Sequence, residues 1–362
     1  MTEPHTPPPA LSADDLRSAA RRIAPWIRQT PLLPSPTLSE ALRRPVWLKY
    51  EHLQRTGSFK LRGAANLLLA LHERGEIPEG GVVACSSGNH GRAVAWIAGR
   101  LGVPATLCVP DWVDPVKRDA MEDAGASVRL SGPTYEHAEA DALRRTREEG
   151  LHFVSPFDDP AIIAGQGTVA LEVLDELSGI AVVDPFRLPE ADLLVPLSGG
   201  GLAAGCLIAA KERSVRTVAV GARRAPAMLR SLEAGRPLVD VEESATLASA
   251  LSGGIGEANR WSFHLLHDGL RTDELVTIEV GEFEIHQAVR FAFRELRTVL
   301  EGGGAVGLAA LMSGDPVVGH EDRTGGGSGE LAERRGPLIV LLSGGNLAPE
   351  TLASIMSQAS VI

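Results

Sequence analysis

The chain has 362 residues, of which 44% are apolar and 22% charged, with a net charge of -11. That is roughly two domains' worth of chain, with ample apolar material for a core. The acidic balance argues against non-specific nucleic-acid binding and a basic membrane-surface patch, yet leaves room for an anionic ligand, because a local nest of backbone N–H groups outweighs a distant net charge.

In chain order, residues 1–10 are polar and proline-rich, without the apolar core of a signal peptide. The reading is a disordered tail over 1–14 and a cytoplasmic location. Short β-rich runs then alternate with amphipathic segments rich in Ala, Arg and Glu. Strands are expected at 46–50, 81–85, 105–109, 127–130, 193–197, 217–220 and 338–342. Helices are expected at 91–101, 115–124, 134–149, 200–212 and 280–300. Such alternation points to α/β architecture with a largely parallel sheet. The polar, glycine-rich stretch 320–336 reads as a mobile, disordered surface loop. No apolar run is long enough to span a bilayer, and no internal repeat is visible. Cys85, Cys108 and Cys206 fit neither a disulfide framework nor a metal-ligand spacing and read as small core residues.

Lysine is nearly absent: four lysines stand against 31 arginines. One of the four, Lys60, sits in the small-residue turn Thr56-Gly57-Ser58-Phe59-Lys60-Leu61-Arg62-Gly63. Arginine serves as well for surface charge but cannot form an imine, and burial lowers a lysine's pKa into a nucleophilic range. The plain alternative is a leftover surface charge at a helix start. Glycine clusters follow several expected strands: Ser86-Ser87-Gly88-Asn89-His90-Gly91, Ser198-Gly199-Gly200-Gly201-Leu202, Glu301-Gly302-Gly303-Gly304-Ala305 and Ser343-Gly344-Gly345-Asn346. Ligands of parallel α/β folds sit at the carboxyl ends of strands, where helix N-termini point. The cluster at 198–202 has the form of a phosphate cradle. Gly199-x-Gly201-x-x-Ala204 also satisfies the dinucleotide fingerprint, but Arg223 and Arg224, rather than an acid, follow the next strand. A nicotinamide oxidoreductase therefore stands as a remote alternative.

These pieces, together with Pro156-Phe157-Asp158-Asp159-Pro160 and Ala164-Gly165-Gln166-Gly167-Thr168, occur in the order seen in serine/threonine dehydratases, which are fold-type II pyridoxal-5′-phosphate (PLP) enzymes. The resemblance covers about residues 15–355. Ser252-Gly253-Gly254-Ile255-Gly256, Asn259-Arg260-Trp261-Ser262-Phe263 and the cluster at 301–307 look most like the hydroxyectoine-utilisation branch. The resemblance implies a tryptophan synthase β-like fold of two open, mostly parallel sheets flanked by helices. A large domain would comprise 1–75 and 160–362, and a small mobile domain 80–158.

The resemblance also implies residue roles. Lys60 forms the Schiff base with PLP and later acts as base at Cα, while Phe59 packs on the ring. Asn89 donates to the ring oxygen, and Ser343 faces the pyridine nitrogen. Ser198, Gly199, Gly200, Gly201 and Leu202 hold the phosphate. Ser86, Ser87, Asn89 and His90 take the substrate carboxylate, with Ser87 catalytic on the face opposite Lys60. A serine at the pyridine nitrogen makes a moderate electron sink, suited to expelling a β-hydroxyl. The implied activity converts a β-hydroxy-α-amino acid, threonine- or serine-like or hydroxyectoine-derived, to a 2-keto acid and ammonia through an aminoacrylate. β-Replacement and racemisation are the alternatives on the same fold. A homodimer is expected by resemblance alone.

Other residues carry plainer readings. His90 reads equally as a satisfied structural histidine, Asp158 and Asp159 as turn and cap residues, and Glu301 as either a neighbour of the pyridine edge or a solvated helix-end carboxylate. Some relatives bind a divalent cation just after the strand matching 217–220; the stretch Gly221 to Ala227 has no acid, so no metal is expected there. Ser155 stands where many relatives carry histidine.

Overall fold

Two sheets, built from ten strands among the described residues, organise the chain. The computed structural model describes residues 10–181, 188–257, 259–315, 317, 318, 334 and 336–357. The strands are β1 (Leu32–Pro34), β2 (Val46–Lys49), β3 (Val82–Cys85), β4 (Ala105–Val109), β5 (Ser127–Leu130), β6 (His152–Phe153), β7 (Asp192–Pro196), β8 (Arg216–Ala222), β9 (Leu275–Val280) and β10 (Leu338–Leu341). The larger sheet runs β1-β2-β10-β7-β8-β9, the smaller β5-β4-β3-β6. Every pairing is parallel except β1 with β2. The expected two-sheet, mostly parallel α/β architecture is therefore present.

The central strands β7, β8 and β10 are buried along their whole length. Helices cover both faces of such strands, which is why they read in sequence as continuous apolar runs rather than alternations. The expected helix 280–300 is corrected to Glu282–Arg294. Val280 belongs to β9, Glu284 reaches back to the Gly281 N–H at 3.0 Å to start the helix, and the left-handed backbone of Arg297 (φ 55°) breaks any continuation. The expected disorder over 1–14 is also shortened, since a helix begins at Ala13. Residues 1–9, and 320–336 apart from Arg334 and Gly336, lie outside the described residues.

Helix Lys60–Arg74 links the two layers: it packs on helix Asn89–Leu101 beside the smaller sheet and on helix Pro160–Ala181 beside the larger. Glycines let the backbones meet. A Cβ on Gly165 would lie 2.5 Å from the Arg62 carbonyl oxygen, and one on Gly205 2.5 Å from that of Ile163. Larger residues there would push helix Pro160–Ala181 off both neighbours.

Charge is buried at the same junction. Arg62 is fully enclosed; its guanidinium donates to both oxygens of Glu51 (2.7 and 2.8 Å) and both of Glu172 (2.7 and 2.9 Å). Lys49, also fully buried, meets Glu172 at 2.9 Å and donates to the Thr30 carbonyl at 2.8 Å. Burial alone would raise the Glu51 pKa, but Arg62 beside it outweighs that and holds the carboxyl below its ordinary range. Removing one member of such a set strands the others without partners. Arg62→Leu is expected to lower unfolding stability by about 3–5 kcal/mol, read as a reduced denaturant midpoint. An unchanged midpoint would show that the cluster is not holding the helices together.

Candidate active site

The carboxyl ends of β2, β3, β7 and β10 open toward one place. After β10, the turn at Ser343 to Gly345 runs beside the turn at Gly57 to Phe59: the Phe59 N–H donates to the Ser343 carbonyl at 3.1 Å, and the Gly345 N–H to that of Gly57 at 3.0 Å. Gly57 has φ 78°, and a Cβ there would collide with the Asn346 side chain, so only glycine fits. This pairing sets Lys60, first residue of its helix, next to Ser343. Lys60 Nζ lies 5.2 Å from the centre of the Phe59 ring and donates to the Pro156 carbonyl at 2.7 Å. The side chain keeps some exposed area, yet protein surrounds the ammonium, and that burial lowers its pKa to about 8.

Pro156 leads directly to the glycine cradle. Beyond β7, Ser198, Gly199 and Gly200 (φ 91°) open helix Gly201–Lys211. A Cβ on Gly199 would strike the Phe157 ring, and one on Gly201 would lie 2.5 Å from the Phe157 carbonyl oxygen. Gln166 joins the two parts, donating to the Pro156 carbonyl at 3.3 Å while its Oε1 lies 2.8 Å from the position of a Gly201 Cβ. The first N–H groups of a helix have no carbonyl partner within it, so this turn presents donors at the positive end of a helix dipole.

Asp158 and Asp159 are caps, as the plainer reading expects. Asp158 accepts from the N–H groups of Arg260 (2.8 Å), Trp261 (2.8 Å) and Ser262 (2.9 Å). Asp159 accepts from those of Ala161 (2.7 Å) and Ile162 (3.0 Å). Ser262 in turn donates to the Gly199 carbonyl at 2.7 Å, so the segment at 259–263 braces the cradle from outside. Ser155 Oγ accepts from the Asp158 N–H at 3.0 Å and thus stabilises the same turn.

The third wall comes from the smaller sheet. Ser86, Ser87 and Gly88 connect β3 to helix Asn89–Leu101, with Ser86 Oγ accepting from the Gly88 N–H at 3.1 Å. Asn89 Nδ2 donates to Glu301 Oε1 at 2.5 Å and lies 3.3 Å from where a Gly344 Cβ would stand. Glu301 is therefore an enclosed partner of the site rather than a solvated helix-end carboxylate, and burial raises its pKa. The His90 ring is committed to the Val154 carbonyl at 2.9 Å. Burial first, and the nearby Lys60 charge second, lower its pKa to about 3, so it is neutral and Nε2 carries the donated proton.

Lys60, Phe59, Ser343, Asn89 and the turn at 198–202 are thus linked through shared neighbours, with Ser86, Ser87 and His90 along the Asn89 side. Arg223 and Arg224 are turned elsewhere, Arg223 to Glu279 at 3.1 Å and Arg224 to the Ala245 carbonyl at 2.9 Å. Sequence reasoning gave no role to Gln166, Asn346, Arg92 or the Pro156 carbonyl. Gln166, Asn346 and Pro156 stand in motifs already quoted, so their presence was visible though their contacts were not. The three cysteines are buried, and burial raises their thiol pKa values.

These residues fit PLP. Buried Ser58 Oγ, Thr56 Oγ1 and Gln166 Oε1 have no protein partner, leaving polar atoms at the site to be satisfied. A lysine with a depressed pKa, a ring beside it and a glycine turn opening a helix N-terminus are the groups that would serve as anchor, packing face and phosphate site.

Comparison with known proteins agrees. The family described as "Pyridoxal-phosphate dependent enzyme" matches residues 23–324. A putative threonine dehydratase of Sinorhizobium fredii is 41% identical over 93% of this chain and 92% of its own length. The L-threonine ammonia-lyase of Geobacter sulfurreducens is 36% identical, covering 96% and 78%. Among solved structures, the threonine deaminase of T.th. superposes with a TM-score of 0.77 at 37% identity, over 93% of this chain and 99% of that one. Maize serine racemase reaches 0.81 at 29% identity, covering 96% and 97%. The chain belongs to the pyridoxal-phosphate dependent enzymes, in their serine/threonine dehydratase group.

Proposed function

We propose that this protein dehydrates and deaminates a threonine- or serine-like β-hydroxy-α-amino acid, giving a 2-keto acid and ammonia. The observation that carries the reading is the Lys60 amine, held at 2.7 Å from the Pro156 carbonyl beside a glycine cradle, with its pKa lowered to about 8. The names of the relatives, threonine dehydratase and L-threonine ammonia-lyase, support it.

Bound PLP supplies an electron sink for the charge left at Cα. Lys60, whose amine would hold the cofactor, is also the group that would hold and move the substrate Cα proton. The N–H groups at the start of helix Asn89–Leu101, with Ser86 and Ser87, bind the substrate carboxylate. Ser87 faces the substrate opposite Lys60, and neutral His90 stiffens the turn from behind. The N–H groups of Gly199, Gly200, Gly201 and Leu202, with Ser198, would hold the phosphate. Ser343, a hydroxyl rather than a carboxylate, would be the partner of the cofactor's ring nitrogen, and the moderate sink that results would suit loss of the β-hydroxyl. Residues 80–158 form the unit that closes over the substrate and excludes water. On the family resemblance the working unit is a homodimer.

Racemisation is the second reading, favoured by the close superposition on maize serine racemase. A substrate panel containing threonine, serine and a hydroxyectoine-derived amino acid separates the two: keto acid and ammonia indicate the lyase, an inverted amino acid the racemase.

Lys60→Ala is expected to abolish the visible absorption band of the PLP-loaded protein and to lower keto-acid formation by about a thousandfold or more. A wild type that stays colourless after reconstitution would sink the reading.

The lowered lysine pKa predicts its own pH profile. With a pKa of about 8, about a quarter of Lys60 is neutral at pH 7.5, against about one part in a thousand for an ordinary lysine. The rate at which cofactor-free protein captures PLP is expected to rise with pH and level off above about 8. A rate still climbing steeply beyond pH 9.5 would indicate an unperturbed amine.

A further inference from the structure

Four side chains that join the two sheets form one continuous line of hydrogen bonds. Arg92 Nη1 donates to Asn346 Oδ1 at 2.8 Å. Asn346 Nδ2 donates to Asn89 Oδ1 at 2.6 Å and to the Thr56 carbonyl at 3.0 Å. Asn89 Nδ2 donates to Glu301 Oε1 at 2.5 Å. Asn89 and Arg92 are three apart on helix Asn89–Leu101 and share a face, while Asn346 and Glu301 stand on loops of the larger sheet.

The direction of this line is fixed at its ends. A guanidinium only donates, and a backbone carbonyl only accepts. Asn346 lies between Arg92 and Thr56, so its oxygen must face Arg92 and its nitrogen Thr56 and Asn89. Asn89 then has one consistent orientation, oxygen toward Asn346 and nitrogen toward Glu301. Turned over, it would oppose two donors at 2.6 Å and two acceptors at 2.5 Å. Glu301 Oε1 occupies the space where a Gly344 Cβ would be, so its place beside Asn89 depends on residue 344 being glycine.

An asparagine amide has two N–H groups, and Glu301 takes one of those on Asn89. Resting on the PLP reading above, we infer that Arg92 and Asn346 are positioning residues, which fix the Asn89 amide so that its second N–H, and not its carbonyl oxygen, faces the ring oxygen of the cofactor. A donor at that oxygen favours its ionised form, whereas an acceptor favours the protonated form. The ionisation of the ring oxygen sets the colour of the bound cofactor, so the orientation of Asn89 is readable apart from activity.

The test uses PLP-saturated wild type, Asn346→Asp, Arg92→Glu and Arg92→Lys. In Asn346→Asp the shape is kept but both donors are lost, so the Asn89 oxygen is no longer held toward position 346, and its two orientations, each opposing one carboxylate, mix. Arg92→Glu removes the donor that fixes Asn346, while Arg92→Lys keeps a donor-only group. For the first two, part of the visible band is expected to pass to the near-ultraviolet form at neutral pH. Their kcat is expected to fall about tenfold with a smaller change in KM, the size expected from losing one charge-assisted hydrogen bond. Arg92→Lys is expected to keep the wild-type spectrum. The inference is overturned if Asn346→Asp and Arg92→Glu keep the wild-type band and its pH titration. It is equally overturned if Asn346→Asp no longer folds, judged by circular dichroism, because the role assigned is orientation rather than stability. A wild type without a visible band would refute the cofactor reading itself. A normal band without keto-acid formation would refute the proposed reaction and leave the spectral test intact.

Discussion

The fork of Arg62 between Glu51 and Glu172 is the contact on which the geometry of the site depends. Arg62 lies two residues beyond Lys60, in the first turn of the same helix. Its two carboxylate partners come from the segment after β2 and from helix Pro160–Ala181. A bidentate guanidinium fixes direction as well as distance. The cluster, centred on the fully buried Arg62 and Glu51, therefore fixes the start of the Lys60 helix against both layers, and the direction in which the lysine leaves the backbone follows from it.

From that fixed point the site is assembled by shared neighbours rather than by one continuous element. The Pro156 carbonyl receives Lys60, and the next residue, Phe157, fills the space that Gly199 and Gly201 leave open. Asp158 then ties the turn to helix Ser262–Arg271, whose Ser262 holds the Gly199 carbonyl. Five consecutive residues, Pro156 to Pro160, thus connect Lys60, the glycine turn at 198–202 and two helix starts. Their conformational freedom is removed before any ligand arrives, which is the physical meaning of a preorganised site.

Much of this was legible in sequence. The lone lysine among small residues and the glycine turns after apolar runs pointed to the candidate site because their chemistry is local: an amine nucleophile must be lysine, and a cradle must be glycine. The central strands were readable because burial on both faces makes them uniformly apolar. β1 and β6 were missed because strands of three and two residues carry too little pattern, and β9 because its half-buried run merges into the helix that follows. The partner of Glu301 was not legible either. It lies 212 positions away at Asn89, and nothing local in 301–305 distinguishes an enclosed carboxylate from a solvated one. His90 was ambiguous for the same reason, since its partner is the carbonyl of Val154, a group every residue possesses.

The central claim is that one lysine, selected by its enclosure, anchors PLP. Borohydride reduction of the PLP-loaded protein, followed by peptide mapping, tests it most directly, because reduction makes an imine link permanent and the chain offers only four lysines. The account predicts stoichiometric label on Lys60, with Lys49, Lys117 and Lys211 unmodified. Label spread over the exposed Lys117 and Lys211, or none at all, would contradict it.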